Sequence, residues 1–406
     1  PTVFFGEASP STALILSFLT FAAGFIARPI GGIIFGHFGD RIGRKKTLVI
    51  ALILMGVSST LIGLLPTYAM IGVTAPILLT TLRFAQGIAI GGQWGGAMLL
   101  VTESAPSNQR GYYGAFAQAG APAGVILANL AFIITSALVS DESFLAWGWR
   151  IPFLASALLI AISMYIQLNL EDTKAFKELQ SYKENHLKDN NLNETSFKKS
   201  PIIEAIKKYP KRIILAAGAF LSIQVTFYIL IAFMLVYGVS DTNLSRADIL
   251  TAILIASAIQ IPVQFVFASY SDRHGRKGIF MLGAVLTALW AFAIFPLVDT
   301  GSFWLTVLAI TGGLVFLAMM YGPQAAFFTE LFTTEVRYSG ATLGYQFGAI
   351  AGGAFAPSIA AFLWTEYDIV WVSAYIAFAS LLTLLSVMTL TETFQTDLNE
   401  TTSQEI

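Results

Sequence analysis

Two arginines stand inside long apolar runs, and the chemistry open to them is anion capture. Arg28 falls in the run Ser11 to Phe35, and Arg83 in the run 76–103. A guanidinium at membrane depth costs at least about 2.5–3.5 kcal/mol on insertion scales, so it faces a cavity or a partner. None of the 24 acidic residues falls mid-run; Glu103 and Glu330 lie at run ends. The two cations therefore attract an anionic solute or pair with acids on a further helix. A second constellation is the charged turn Gly36-His37-Phe38-Gly39-Asp40-Arg41-Ile42-Gly43-Arg44-Lys45-Lys46 between two apolar runs. An aspartate there can accept hydrogen bonds from arginine or from helix N-terminal amides. A degraded copy, Ser269 to Lys277, sets Asp272 against Asp40 and Arg276 against Arg44. Neutral polar residues also interrupt the runs: Gln86, Gln93, Gln118, Gln224, Tyr228, Gln260, Gln264, Tyr321, Gln324, Tyr345 and Gln346. Singly, such residues can simply bridge helices. Together they suggest a polar cavity.

Other chemistries lack their residues. There are no cysteines, the three histidines are scattered, and no Gly-x-x-x-x-Gly-Lys-Ser/Thr phosphate loop occurs. Nothing points to a metal, an organic cofactor, an enzyme or nucleic acid.

The elements that must position these residues are membrane helices. The chain is 56% hydrophobic and 12% charged, with a mean hydropathy of +0.71; a soluble domain carries about 25% charged residues. A span needs about 20 apolar residues, and eleven are expected: 11–37, 47–65, 76–103, 111–138, 150–169, 212–238, 248–269, 278–298, 303–329, 339–364 and 369–390. The continuous runs exclude a β-barrel. If the turn at 39–46 faces the cytoplasm, all 12 lysines and seven arginines fall on that side and only Arg150 and Arg246 outside; this asymmetry sets the orientation.

The repeat extends beyond the turns. Thr102-Glu103 and Arg110 match Thr329-Glu330 and Arg337; Gln118, Gly120 and Gly124 match Gln346, Gly348 and Gly352. Two parallel halves follow, as many transporters show. The expected units are an N-terminal half at 1–170, a cytoplasmic linker at 171–211 and a C-terminal half at 212–406. The linker holds nine lysines and seven acidic residues and is expected to form surface helices. The second half has a span, 212–238, with no counterpart in the first, so a first helix preceding Pro1 is expected. The intact protein would then have twelve spans and cytoplasmic termini.

The turn Gly36-x-x-Gly-Asp40-Arg41-x-Gly43-Arg44-Lys45 and the run Arg83-Phe-Ala-Gln86-Gly87-Ile-Ala-Ile-Gly91-Gly92 resemble signatures of the major facilitator superfamily. Ala27 to Gly32, Gly91 to Gly96, Thr102 to Pro106 and Trp147 to Phe153 resemble its metabolite:proton symporter subfamily, which includes carriers for shikimate, α-ketoglutarate, citrate, and proline or betaine. Gln93 departs from that pattern, standing where many relatives carry Glu. The resemblance implies an all-α membrane fold of two six-helix halves and proton symport of a small organic acid or zwitterion by alternating access. It implies a monomer in the bilayer of a bacterial inner membrane, with protons as the coupling ion. It also implies a cytoplasmic latch of Asp40, Arg41, Arg44, Glu103 and Arg110, with Asp272, Arg273, Arg276, Glu330 and Arg337 as counterpart. The cavity residues would be Arg28, Arg83, Gln86, Gln93, Gln118, Gln224, Tyr228, Tyr321 and Gln346, although the subfamily position of Arg28 suits a hydrogen bond between helices equally well. An exporter of amphiphilic compounds would share the fold, and a non-transporting sensor is the other alternative.

Overall fold

The computed structural model describes residues 3–42, 44–169, 201–332 and 337–394; within these, the side chains of 36–48, 95–96, 99–100, 103, 159, 166–167, 201–202, 204 and 338 are outside the description. Twelve principal helices order the described chain, with short helical stretches at Tyr68–Ile71 and Asp141–Gly148 between them. The first half contains α1 Pro10–Ile42, α2 Arg44–Leu64, α3 Thr74–Ser104, α4 Arg110–Leu138 and α5 Arg150–Asn169. The short α6 Pro201–Lys208 lies in the expected linker. The second half contains α7 Pro210–Asp241, α8 Arg246–His274, α9 Arg276–Asp299, α10 Phe303–Glu330, α11 (Arg337–Gly348, a π-helical turn Ala349–Ala354, then Ala356–Glu366) and α12 Ile369–Thr389.

Among the described residues, eight helices are long and apolar enough to cross a membrane, and a ninth span arises if the pair Asp141–Gly148 and Arg150–Tyr165, bent by 51°, counts as one. Every principal helix but α6, which lies in the expected linker, is within a few residues of an expected span, but the turns are tighter than expected. Helix α1 continues to Ile42 and α2 begins at Arg44, so most of the charged stretch is helical. In the copy, Asp272, Arg273 and His274 are the last turn of α8, and Gly275 alone separates it from α9. Gly275 has φ +97°, a backbone state that only glycine adopts without strain, so the chain reverses in one residue.

The halves are built alike. In the second, α10 packs on α8 and α9, α9 on α12, and α7 on α11 and α12. In the first, α3 packs on α1 and α2, and α2 on α5. Glycine sets the α1–α3 seam: a Cβ on Gly87 would lie 1.8 Å from the Gly24 carbonyl oxygen, and one on Gly91 would lie 1.9 Å from that of Arg28. Backbones this close require residues without side chains. The halves meet where α4 crosses α8 and α10 and where α1 meets α11.

The equivalent small-residue stripes differ. Gly344, Gly348 and Gly352 abut Ala216, Ala217 and Leu221 of α7, whereas Gly120 and Gly124 of α4 face open space. Arg150 and Trp149 pack at one end of α2. Arg150 donates to the Gly63 and Leu65 carbonyls at 3.0 and 2.6 Å, closing the C-terminal end of α2, where a cation suits the helix dipole. Trp149 lies beneath it, buried against Phe4 and Phe153. Trp147 is the exposed member.

Candidate functional site: an ion-pair cluster across the halves and a buried arginine

At the charged-turn end, Asp272 joins the halves. Its two carboxylate oxygens accept from the Gly111 and Tyr112 backbone amides, both at 2.8 Å. These amides open α4, so the carboxylate sits on the positive end of a helix from the other half. A Cβ on Gly111 would lie 2.7 Å from Arg276 Nη1 and 2.9 Å from Asp272 Oδ1. Glycine is therefore required for the amides to reach the acid.

Arg276 organises the rest. Its Nη1 donates to Asp272 Oδ1 at 2.6 Å and to Ser271 Oγ at 2.8 Å. Nη2 and Nε grip the two Glu330 oxygens at 3.1 and 3.2 Å, the forked geometry that favours arginine over lysine. Thr393 Oγ1 donates to Glu330 Oε2 at 2.8 Å, and Arg110 lies within electrostatic reach of Glu330. Arg276 is 1% exposed, yet its charge is balanced. Glu392 accepts from the Arg276 and Lys277 amides at 2.9 and 3.0 Å, capping α9. Thus Asp272, Arg276, Glu330 and Arg110 come together. Arg273 is exposed and stands outside the cluster. Arg337 donates to the Phe332 carbonyl at 3.2 Å. The side chains of Asp40, Arg41, Arg44 and Glu103 lie outside the described residues. Glu392, Thr393 and the α4 amides escaped sequence reasoning; the only signal was an acid just beyond the last apolar run.

The centre has the opposite character. The Arg28 guanidinium lies 3.8 Å over the Phe25 ring, a cation–π contact. Its Nε has no partner among the described residues. Phe25, Phe21 and Tyr228 meet edge to face, with centroids 5.1 to 5.5 Å apart, so the ring under the cation packs on a ring of the other half. The Tyr321 and Tyr345 phenols are within its electrostatic reach. Tyr345 of α11 stacks on Trp94 of α3 at 3.6 Å and 18°. Arg83 lies 5.8 Å over Phe21 and donates to Gln86 Oε1 at 3.3 Å; Gln86 in turn donates to Ser59 Oγ at 2.7 Å. No carboxylate among the described residues pairs with Arg28 or Arg83.

Amides line the seam. Gln118 Nε2 donates to Gln324 Oε1 at 2.7 Å and to the Tyr321 carbonyl at 3.3 Å, and Gln264 Nε2 to the Ala115 carbonyl at 3.1 Å. These bonds join the halves, as helix-bridging amides do. Others are unmatched among the described residues: both polar atoms of Gln346 and of Gln260, Gln93 Nε2 and the Trp94 indole nitrogen. Each such buried group costs about 1–3 kcal/mol while unpaired. Gln224 is buried on α7 against Gly352.

The sequence profile of the Major Facilitator Superfamily matches residues 5–343 and, overlapping, 241–404. The chain is 38% identical over 401 residues to the inner membrane metabolite transport protein YhjE of Escherichia coli, covering 97% of this chain and 88% of that protein. It is 38% identical over 381 residues to the shikimate transporter of the same organism, covering 92% and 83%. Among solved structures, that of a D-xylose-proton symporter superposes with a TM-score of 0.71 at 17% identity, covering 97% of this chain and 92% of that one.

Proposed function

The chain belongs to the Major Facilitator Superfamily, and from that membership and the unpaired Arg28 we propose that it is a proton-coupled symporter taking up a small organic acid or zwitterion. It is a multi-pass metabolite transporter of the bacterial inner membrane.

One observation carries the substrate reading. Arg28 is buried where the halves meet, ringed by aromatics and without a counter-charge among the described residues. A buried cation without a partner is costly and marks a ligand path by default. An anionic group from the substrate supplies the missing charge, and Arg83 behind Phe21 adds a second positive source. The substrate class is thus one with a carboxylate.

The latch supplies the moving part. With the charged turns facing the cytoplasm, the Asp272 bonds to α4 hold that side shut, and inward opening requires Gly111 and Tyr112 to leave the carboxylate. Protons are the proposed coupling ion. Glu330 is the buried carboxylate of the described residues best placed to exchange one, because its Arg276 fork belongs to the same latch. The transporter acts as a monomer, with its halves divided by the segment 171–211.

Eleven spans are assigned to the chain, α2 and α3 completing the set. The open face of α4 at Gly120 and Gly124 is the seat for a twelfth helix, matching α7 against Gly348 and Gly352. Gly124→Phe should then reduce the yield of folded transporter, and an unchanged yield would remove that helix.

Adding organic acids, proline and betaine singly to de-energised, weakly buffered cells tests the function. The expected result is external alkalinisation with one of them, lost in Arg28→Gln. Labelled uptake without a pH change would remove proton coupling. Uptake by Arg28→Gln equal to the parent would remove the anion reading.

A further inference from the structure

Helix α6 and the first turn of α7 carry a cluster of cations that the proposed transport path does not use. Lys207, Lys208, Lys211 and Arg212 stand within six residues, and no acid occurs from Ala205 to Ser240. Lys207, Lys208 and Lys211 are exposed and form no ion pair among the described residues. Arg212 is half-buried, and its Nη1 donates to the Leu331 carbonyl at 3.0 Å. Tyr209 lies between two of the cations, its ring centre 5.4 Å from Lys208 Nζ and 5.2 Å from the Arg212 guanidinium. The same ring packs edge to face on Phe332, with centroids 6.2 Å apart. Leu331 and Phe332 follow Glu330, so the cluster sits at the charged-turn end of the molecule.

An apolar ridge adjoins the charges. Ile203 and Ile206 are 55% and 46% exposed, whereas Ala205 is fully buried. At about 3.6 residues per turn, Ile206 lies about 60° from Ile203 around α6, Lys207 about 40° on the other side, and Ala205 about opposite. Ala205 therefore faces α7 and α11, on which α6 packs, and the isoleucines face away from the protein. The spans hold their exposed isoleucines in hydrocarbon, but α6 cannot span. Its eight residues rise about 12 Å against a hydrocarbon core of about 30 Å. It ends at Lys208, and the apolar span begins at Pro210, which puts α6 where hydrocarbon gives way to headgroups. Water leaves such a ridge bare, and zwitterionic headgroups leave the lysines without a counter-charge. Acyl chain beneath anionic phosphate satisfies both. We propose that α6 and the first turn of α7 form a docking surface for anionic phospholipid. Ile203 and Ile206 enter the acyl region, and Lys207, Lys208 and Lys211 hold the headgroup phosphates.

The chain has no cysteine, so Ile206→Cys accepts a single bimane fluorophore on the ridge. The labelled full chain is placed in nanodiscs of phosphatidylcholine with phosphatidylglycerol as the minor lipid. In one preparation the phosphatidylglycerol carries dibrominated, quenching chains, and in a matched one the phosphatidylcholine does. Both lipids should quench the label. Per brominated molecule, phosphatidylglycerol should quench at least about fivefold more strongly, which is what one basic residue near an anionic surface supplies. The same label on Leu289→Cys, exposed in the middle of α9, should give a ratio near one. Replacing the cations together by Lys207→Gln, Lys208→Gln and Lys211→Gln should bring the ratio at position 206 towards one, with the melting temperature at the parent value. Salt at about 0.5 M should do the same to the parent by screening. Absence of quenching by either lipid overturns the proposal, and is the result expected if an acidic protein segment covers this face instead. Equal quenching per molecule overturns the selection of anionic lipid. A preference that survives the triple substitution overturns the role of the lysines.

Discussion

Arg276 and Arg28 are both buried arginines at the junction of the halves, and they are treated in opposite ways. Arg276 has Ser271, Asp272 and both oxygens of Glu330. Arg28 has a ring face and an Nε without a partner among the described residues. Burial alone therefore does not mark function. Removing a fully paired cation leaves orphaned acids, whereas on the proposed reading a cation without a partner among the described residues is where an anionic solute would bind. The latch also spends its backbone amides across the halves, whereas the centre meets across them through rings, which part with little loss of directional bonding.

The contrast breaks most sharply at Arg276. Arg276→Met leaves Glu330 and Asp272 buried without their cation and should cost about 3–5 kcal/mol, read as a lower melting temperature of the detergent-solubilised protein. Arg28→Met should leave that temperature unchanged or raise it, because no partner is stranded, while carboxylate binding falls. Equal melting losses in the two variants would erase the distinction.

Gly91→Ala comes next. It forces α3 away from the Arg28 carbonyl and should cost about 1–3 kcal/mol by overpacking, with binding reduced as Arg28 shifts. Unaltered expression and binding would mean that the seam yields freely. Gly111→Ala acts on the latch without removing a charge. Its Cβ meets Arg276 Nη1 and Asp272 Oδ1, so cysteines placed to report access from the charged-turn end should label faster. Labelling at the parent rate would show that the latch tolerates the methyl group. The smallest effect is expected for Thr393→Val, which removes one hydroxyl from Glu330 and should cost about 1 kcal/mol in the same melting measurement. A loss as large as that of Arg276→Met would make the segment after α12 an equal member of the latch.

Much of this was legible in the sequence. The apolar runs located the helices within a few residues, because the requirement to satisfy every backbone group inside a bilayer leaves little choice. The duplicated turn pointed to Asp272 and Arg276, and the offset of the polar repeats brought in Glu330 and Arg110. The misses share a cause. Asp272 is satisfied by the amides of Gly111 and Tyr112, and a backbone amide has no residue type to read. The role of Glu392 depends on where the segment after α12 lies against α9, which no local pattern encodes. Trp149 is buried by packing against Phe4, far away in sequence, and Phe153 of α5, while its near neighbour Trp147 is exposed.

By itself the sequence determined that this is a helical membrane protein of duplicated design with two cations in apolar surroundings, since hydropathy and repetition are properties of the linear chain. Only the tertiary structure decided which of the buried arginines is paired and which has no partner among the described residues. Pairing depends on approaches between residues as far apart in sequence as Gly111 and Asp272 or Trp94 and Tyr345. Those approaches are set by how closely glycine seams allow the helices to pack.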